Sequence, residues 1–206
     1  MHGVVLSWFD ASGHGVAASL ITMLSDTIIR QVYLGESKTN ESLGQILTNI
    51  NTSLIEAKGQ VENFLTGILL KISDNEDNTS KVNIANAGHP RPFIYRSQED
   101  MVMELQPPGD DYVFGPIGIN GIEHNYLDFE IQMQSGDIMI LYTDGLTETM
   151  NIHREDFGKS SVQALLQRNH KKSAKEILDV LIKKLNEHSA GTPRTDDVTT
   201  IIIKRK

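Results

Sequence analysis

Four aspartates stand where side chains could do chemistry, each at the border between an apolar run and a turn. Asp10 follows Val4–Phe9 and opens Asp10-Ala11-Ser12-Gly13-His14-Gly15. Asp144 lies in Tyr142-Thr143-Asp144-Gly145, and Asp196 and Asp197 lie in Thr195-Asp196-Asp197-Val198-Thr199. Carboxylates at strand ends can converge in a sheet protein even when the sequence keeps them apart. Converging carboxylates repel unless a cation neutralises them, and oxygen ligands suit a hard divalent ion such as Mg²⁺ or Mn²⁺. The first expectation is therefore a metal site.

The elements that must position these residues can be read from periodicity. Val4–Phe9 is a short apolar run and predicts a buried strand. A helix is expected from about Val16 to Tyr33, with Val16, Leu20, Leu24 and Ile28 recurring every four residues, Ile21 and Met23 widening the stripe, and Gly35 as its stop. A second helix is expected from an N-cap at Asn40 to Lys58, with Leu43, Ile46, Leu47, Ile50 and Leu54 on one face.

Strand texture follows. Phe64–Ile72 and Lys81–Ala87 flank a polar turn, and Pro92–Arg96 and Met101–Leu105 flank another, so both pairs predict hairpins. Pro107–Gly121 reads as a loop. Tyr126–Met133 alternates, with Leu127, Phe129, Ile131 and Met133 on one side, and Ile138–Tyr142 is an apolar strand leading to Asp144. Two further helices are expected, near Lys159–Gln167 and after the capping-box pattern Ser173-x-x-Glu176, before a last strand at Val198–Ile203. The order predicts a single α+β domain over 1–206, with helices covering a mainly antiparallel sheet system.

Composition removes several function classes. At 206 residues the chain can bury a core without crosslinks, and it has no Cys. That excludes disulfides, thiolate metal sites and a Cys nucleophile, and suits a reducing, cytoplasmic compartment. A net charge of −8 argues against a nucleic-acid partner. No apolar run approaches the roughly 20 residues of a membrane helix, so no membrane contact is expected.

Taken together the motifs resemble the metal-dependent serine/threonine protein phosphatases of type 2C (PPM), in the bacterial SpoIIE/RsbU branch. Four stations match in order: Asp10–Gly15; Asn86-Ala87-Gly88-His89-Pro90; Gly136-Asp137 through Tyr142-Thr143-Asp144-Gly145-Leu146-Thr147-Glu148; and Thr195–Thr199. The resemblance implies an antiparallel β-sandwich flanked by helix pairs in α-β-β-α layers, with two Mn²⁺ or Mg²⁺ ions at one edge. It implies that Asp10 bridges both ions, that Ala11 offers its backbone carbonyl, and that Asp144 and Asp196 bind the second ion. Asp197 takes a supporting role. His14 could be a general acid to the leaving oxygen or could simply hold the turn. Asn86 and His89 fit a hairpin-end turn better than a substrate contact, and Glu148 and Asn151 could line the rim.

Members of this branch carry a further acidic residue upstream, in a Gly-Gly-Asp-like segment. Nothing before Asp10 is acidic. The expectation is a domain lacking its N-terminal strand segment, the C-terminal part of a longer protein, with weakened binding or a single ion as one outcome.

The resemblance implies hydrolysis of phosphoserine or phosphothreonine by activated water without a phospho-enzyme. The substrate implied is a small phosphorylated regulator, such as an anti-sigma-factor antagonist in partner-switching stress signalling. An upstream sensor or receiver domain and a homodimer could accompany it. Two other readings stay open. One is a catalytically weak phosphatase-fold interaction domain, supported by the missing acid, and the other is a small-molecule phosphatase.

Overall fold

The computed structural model describes residues 4–13, 15–36, 42–109, 115–122, 124, 126–193 and 196–206. In chain order the elements are β1 (Val4–Ala11), α1 (Val16–Glu36), α2 (Leu43–Lys58), β2 (Leu65–Asp74), β3 (Ser80–Ala87), β4 (Phe93–Arg96), β5 (Met101–Glu104), β6 (Asp128–Met133), β7 (Ile138–Tyr142), α3 (Asp144–Glu148), α4 (Gly158–Asn169), α5 (Ala174–His188) and β8 (Thr200–Lys204). They form two antiparallel four-stranded sheets, ordered β1-β2-β3-β6 and β5-β4-β7-β8. The fold class is therefore α+β with antiparallel sheets, as the element order predicted.

The chain divides into two units. The first comprises Met1–Asn75, Lys81–His89 and Pro107–Gln132, and the second Glu76–Ser80, Pro90–Gln106 and Met133–Lys206.

In the first unit β1 runs antiparallel to β2 over its whole length, from Val4 opposite Ile72 to Ala11 opposite Leu65. Helices α1 and α2 bury one face against this sheet. Leu43, Ile46, Leu47, Ile50 and Leu54 of α2 are all buried, as their mixed three- and four-residue spacing predicted. The N-cap of α2 is Ser42, whose hydroxyl accepts from the Gln45 N–H. The expected cap, Asn40, lies outside the described residues.

The stripe predicted for α1 needs correction. Of Val16, Leu20, Leu24 and Ile28 only Ile28 is fully buried, whereas Val16, Leu20 and Met23 are 79%, 62% and 71% exposed. The buried line is Ala18, Ile21, Ser25 and Ile28. A helix turns every 3.6 residues, so a strict four-residue repeat drifts by about 40° per step and winds off the buried face. Alternating steps of three and four stay on it.

In the second unit β7 is buried throughout. It pairs antiparallel with β4 and with β8, Ile138 facing Lys204 and Tyr142 facing Thr200. Phe93 and Tyr142 stack with centroids 5.3 Å apart. Helices α4 and α5 supply Val162, Leu166, Ile177, Leu181 and Leu185 to the same core. The capping box of α5 is formed: Ser173 Oγ accepts from the Glu176 N–H, and the Glu176 carboxylate accepts from the Ser173 N–H at 2.8 Å. The alternation predicted for β6 holds for Phe129 and Met133, both buried, while Leu127 before it is 46% exposed. Among the described residues no helix is long and apolar enough to cross a membrane.

Candidate metal centre

Asp10 and Ala11 are the last two residues of β1, in the first unit. Asp10 stands opposite Thr66 and Ala11 opposite Leu65. The chain then leaves the sheet through Ser12 and Gly13, and this exit is tied from outside. The Ser12 N–H donates to Phe64 O at 2.8 Å, and the Phe64 N–H donates back to Ser12 Oγ at 2.9 Å. Asn63 Nδ2 donates to Ser12 O at 2.7 Å. Lys58, at the end of α2, donates from Nζ to Asn63 O at 2.9 Å and also to Val61 O. Desolvation lowers the Lys58 pKa, partly offset by Glu62. Gly13 has φ +80°, a left-handed conformation that side chains other than glycine's strain to adopt. His14 lies outside the described residues.

Asn86 and His89 form the turn that the sequence suggested, also within the first unit. The Asn86 side chain donates from Nδ2 to His89 O at 3.0 Å and accepts from the His89 N–H at 2.9 Å. His89 is 4% exposed. Its Nδ1 shares a proton with Thr66 Oγ1 at 3.1 Å, and its ring lies 5.2 Å from that of Trp8.

Asp144 and Asp196 come together inside the second unit. Thr143 binds the 197–199 backbone from both sides. Its hydroxyl donates to Asp197 O at 3.2 Å and accepts from the Thr199 N–H at 3.0 Å, and its N–H donates to Thr199 O at 3.1 Å. These bonds continue the β7–β8 pairing past the strand ends. They set Asp144 beside Asp196, and the spot where a side chain on Gly145 would begin lies 3.5 Å from the Asp196 Cβ. Gly145 and Asp196 line a polar cleft of about 280 Å³ with Glu148, Thr149, Met150 and Asp156. Among the described residues that line it, none is basic.

The cleft is crowded with carboxylates. Asp144 and Glu148 are four apart on α3, a spacing that puts like charges on one helix face. Glu148 is exposed as a residue, yet its carboxyl is partly desolvated. Burial first, then repulsion from Asp144, Asp156 and Asp196, raises its pKa above the ordinary 4.5. Asp197 contributes through its backbone, and its N–H donates to Asp196 Oδ1 at 2.8 Å. Asn151 turns inward on its own loop, accepting from the His153 and Glu155 N–H groups.

The oxygen donors of the cleft, the carboxylates of Glu148, Asp156 and Asp196 and the Thr149 hydroxyl, fit a hard divalent cation in kind, with the Met150 thioether beside them. Among the described residues no three His, Asp or Glu side chains are drawn close enough to hold an ion by themselves. Sequence reasoning missed Asp156, Asn63, Lys58 and Thr66, which carry no motif and reach their places only through tertiary contacts.

The sequence model of the family Stage II sporulation protein E (SpoIIE) matches residues 2–206. The chain belongs to the SpoIIE family. A curated SpoIIE-branch relative, the phosphoserine phosphatase RsbU of Bacillus subtilis (strain 168), is 27% identical over 96% of this chain and 54% of its own length. Protein IcfG of Synechocystis sp. is 28% identical over 89% of this chain and 28% of its own length. The chain thus spans about half or less of these relatives. Among solved structures, the SiaA-PP2C domain of Pseudomonas aeruginosa superposes with a TM-score of 0.78 over 97% of this chain and 75% of its own, at 20% identity. The catalytic domain of the serine/threonine phosphatase PstP, solved with two manganese ions, superposes with a TM-score of 0.60 over 96% of this chain and 85% of its own, at 15% identity. At these identities the likeness is one of fold. This SpoIIE-family chain shares the fold of the PP2C phosphatase domains.

Proposed function

We propose that this chain hydrolyses phosphoserine or phosphothreonine on a regulatory protein, with Mn²⁺ or Mg²⁺ held by Asp10, the Ala11 carbonyl, Asp144 and Asp196. The observation that carries the reading is the cleft lined by Glu148, Asp156 and Asp196, where Glu148 also feels the charge of Asp144 and, among the described residues, no lining side chain is basic. Carboxylates kept in mutual repulsion are costly unless they serve a cation.

When bound, such ions supply Lewis-acid chemistry, offsetting phosphoryl charge and acidifying water. The protein's own groups do the rest. The Thr143–Asp197–Thr199 bonds orient Asp144 and Asp196. The Ser12–Phe64–Asn63 bonds hold the turn after Asp10. Glu148, with its raised pKa, keeps a proton on its carboxyl to higher pH than an ordinary glutamate. His14 is proposed as general acid at the leaving oxygen. The substrate class is a phosphorylated regulator of the anti-sigma-factor-antagonist kind, in partner-switching signalling within the cytoplasm. An attached sensor or receiver domain and a homodimer belong to the same proposal.

The test is phosphate release from a phosphoserine protein and from p-nitrophenyl phosphate, with and without Mn²⁺. Asp144→Asn and Asp196→Asn should each lower Mn²⁺-dependent release by on the order of 100-fold or more, beyond the usual cost of losing a group that merely supports a ligand. Release that is equal with Mn²⁺ and with chelator sinks the metal reading. Weak Mn²⁺ binding with no metal-dependent release supports the interaction-domain alternative instead.

A further inference from the structure

Trp8, Asp10, Thr66 and His89 share one face of the first sheet. Residues two apart on a strand point the same way, so Trp8 and Asp10 are on one face of β1. Residues directly opposite in an antiparallel pair are neighbours on one face, with Cβ atoms roughly 5 Å apart, so Thr66 of β2 stands beside Asp10. Phe9 and Ala11 pack into the core that α1 and α2 build, so Asp10 faces away from those helices. His89 reaches two of the three residues on that face. Its Nδ1 is 3.1 Å from Thr66 Oγ1, and its ring is 5.2 Å from Trp8. A ring that touches Trp8 and Thr66 on one face flanks Asp10, which lies two residues beyond Trp8 and directly across from Thr66.

The imidazole is not placed by chance. It is 4% exposed, and the Asn86 side chain clamps the His89 backbone in both directions. Gly88, in the same turn, bridges to Gly67 next to Thr66. The Asn86–His89 turn thus has more structure than reversing the chain requires. It locks one imidazole nitrogen onto one hydroxyl.

We propose that His89 and Thr66 are positioning residues for the Asp10 carboxylate, acting in series. Nδ1–H of His89 donates to Thr66 Oγ1, which leaves the threonine hydroxyl proton to donate toward Asp10 on the same face. A hydroxyl that both accepts and donates has one rotor orientation left. The carboxylate beside it is then held in one rotamer, with the oxygen that meets a cation presented outward. Groups that support metal-binding carboxylates in this way typically change metal affinity by 10- to 100-fold. The proposal rests on the reading of Asp10 as a ligand.

The experiment measures Mn²⁺ binding to the full chain by titration calorimetry, together with thermal stability without metal. Thr66→Val keeps the branched shape and removes the hydroxyl, and it should weaken Mn²⁺ binding at least tenfold while Tm stays near wild type. Thr66→Ser should restore binding. His89→Asn, which can keep a donor near the Nδ1 position, should weaken binding less than His89→Ala. In an Asp10→Asn background Thr66→Val should have no further effect. Mn²⁺ affinity of Thr66→Val within twofold of wild type, while Asp10→Asn binds weakly, overturns the positioning role alone. A lower Tm with unchanged Mn²⁺ affinity assigns Thr66 to stability and overturns it as well. If Asp10→Asn itself binds Mn²⁺ like wild type, both the ligand reading and this proposal fall.

Discussion

Two aspartate-bearing turns, the exit from β1 at Asp10 to Gly13 and the first turn of α3 at Asp144 and Gly145, both need glycine, but for opposite reasons. Gly13 has φ +80° and ordinary room around it, the nearest outside atom to an added Cβ being Asn63 Nδ2 at 3.4 Å. Gly145 is not among the positive-φ glycines, yet an added Cβ would sit 2.3 Å from Asp197 O. The first turn is limited by backbone torsion and tied by side-chain bonds from the 58–64 segment. The second is limited by space and tied by backbone pairing beyond the ends of β7 and β8. Torsional strain is graded, whereas a clash with a paired backbone carbonyl is not, because moving that carbonyl would break the bond from Thr143. The Asp10 turn should therefore tolerate partial replacements, and the Asp144 turn should not.

The largest expected effect is Gly145→Ala. It should destabilise by about 1–3 kcal/mol or more through overpacking, and should abolish Mn²⁺-dependent phosphate release by displacing Asp196. The denaturant midpoint and the release rate check this. A variant as stable and as active as wild type would break the contrast between the two turns.

A smaller effect is expected from Asn63→Ala, which leaves Ser12 O without its bond. The cost should be about 1 kcal/mol, the usual net value of a hydrogen bond, with partial activity retained. Gly13→Asn should cost less than Gly13→Ala, since asparagine enters the left-handed region more readily. Equal losses for the two replacements would mean that space, not torsion, governs the Asp10 turn.

The smallest effect concerns Glu148. Its folded-state pKa is raised above 4.5. A raised pKa contributes stability that is fully present below the unfolded value and is lost as pH rises through the folded value. Ionised Glu148 is thus a weak liability at neutral pH. Glu148→Gln should be slightly more stable than wild type at pH 7, and the two should converge below about pH 4, where a carboxyl with the ordinary glutamate pKa is protonated. Saturating Mn²⁺ should narrow the neutral-pH gap by screening the neighbouring aspartates. Thermal melts across pH, with and without Mn²⁺, measure this. A gap that widens in acid would show that the cleft carboxylates do not repel as proposed.

Much of this protein was determined by local pattern. The face of α2, the buried run of β7, both hairpins, the capping box at Ser173 and the strand-end placement of Asp10 and Asp144 follow from periodicity and turn chemistry, which act over a few residues. The four motif stations carried the family as well, since their order and spacing survive without coordinates. The buried face of α1 escaped, because an apolar residue every four positions looks like a stripe until the 3.6-residue turn carries Val16 and Leu20 out to solvent. Only the tertiary structure decided that Asp156 joins Glu148 and Asp196 on one cleft, that Lys58 and Asn63 hold the exit from β1, and that His89 reaches Thr66. Those contacts join residues tens of positions apart, and their cause is strand register and core packing, which no local spacing records.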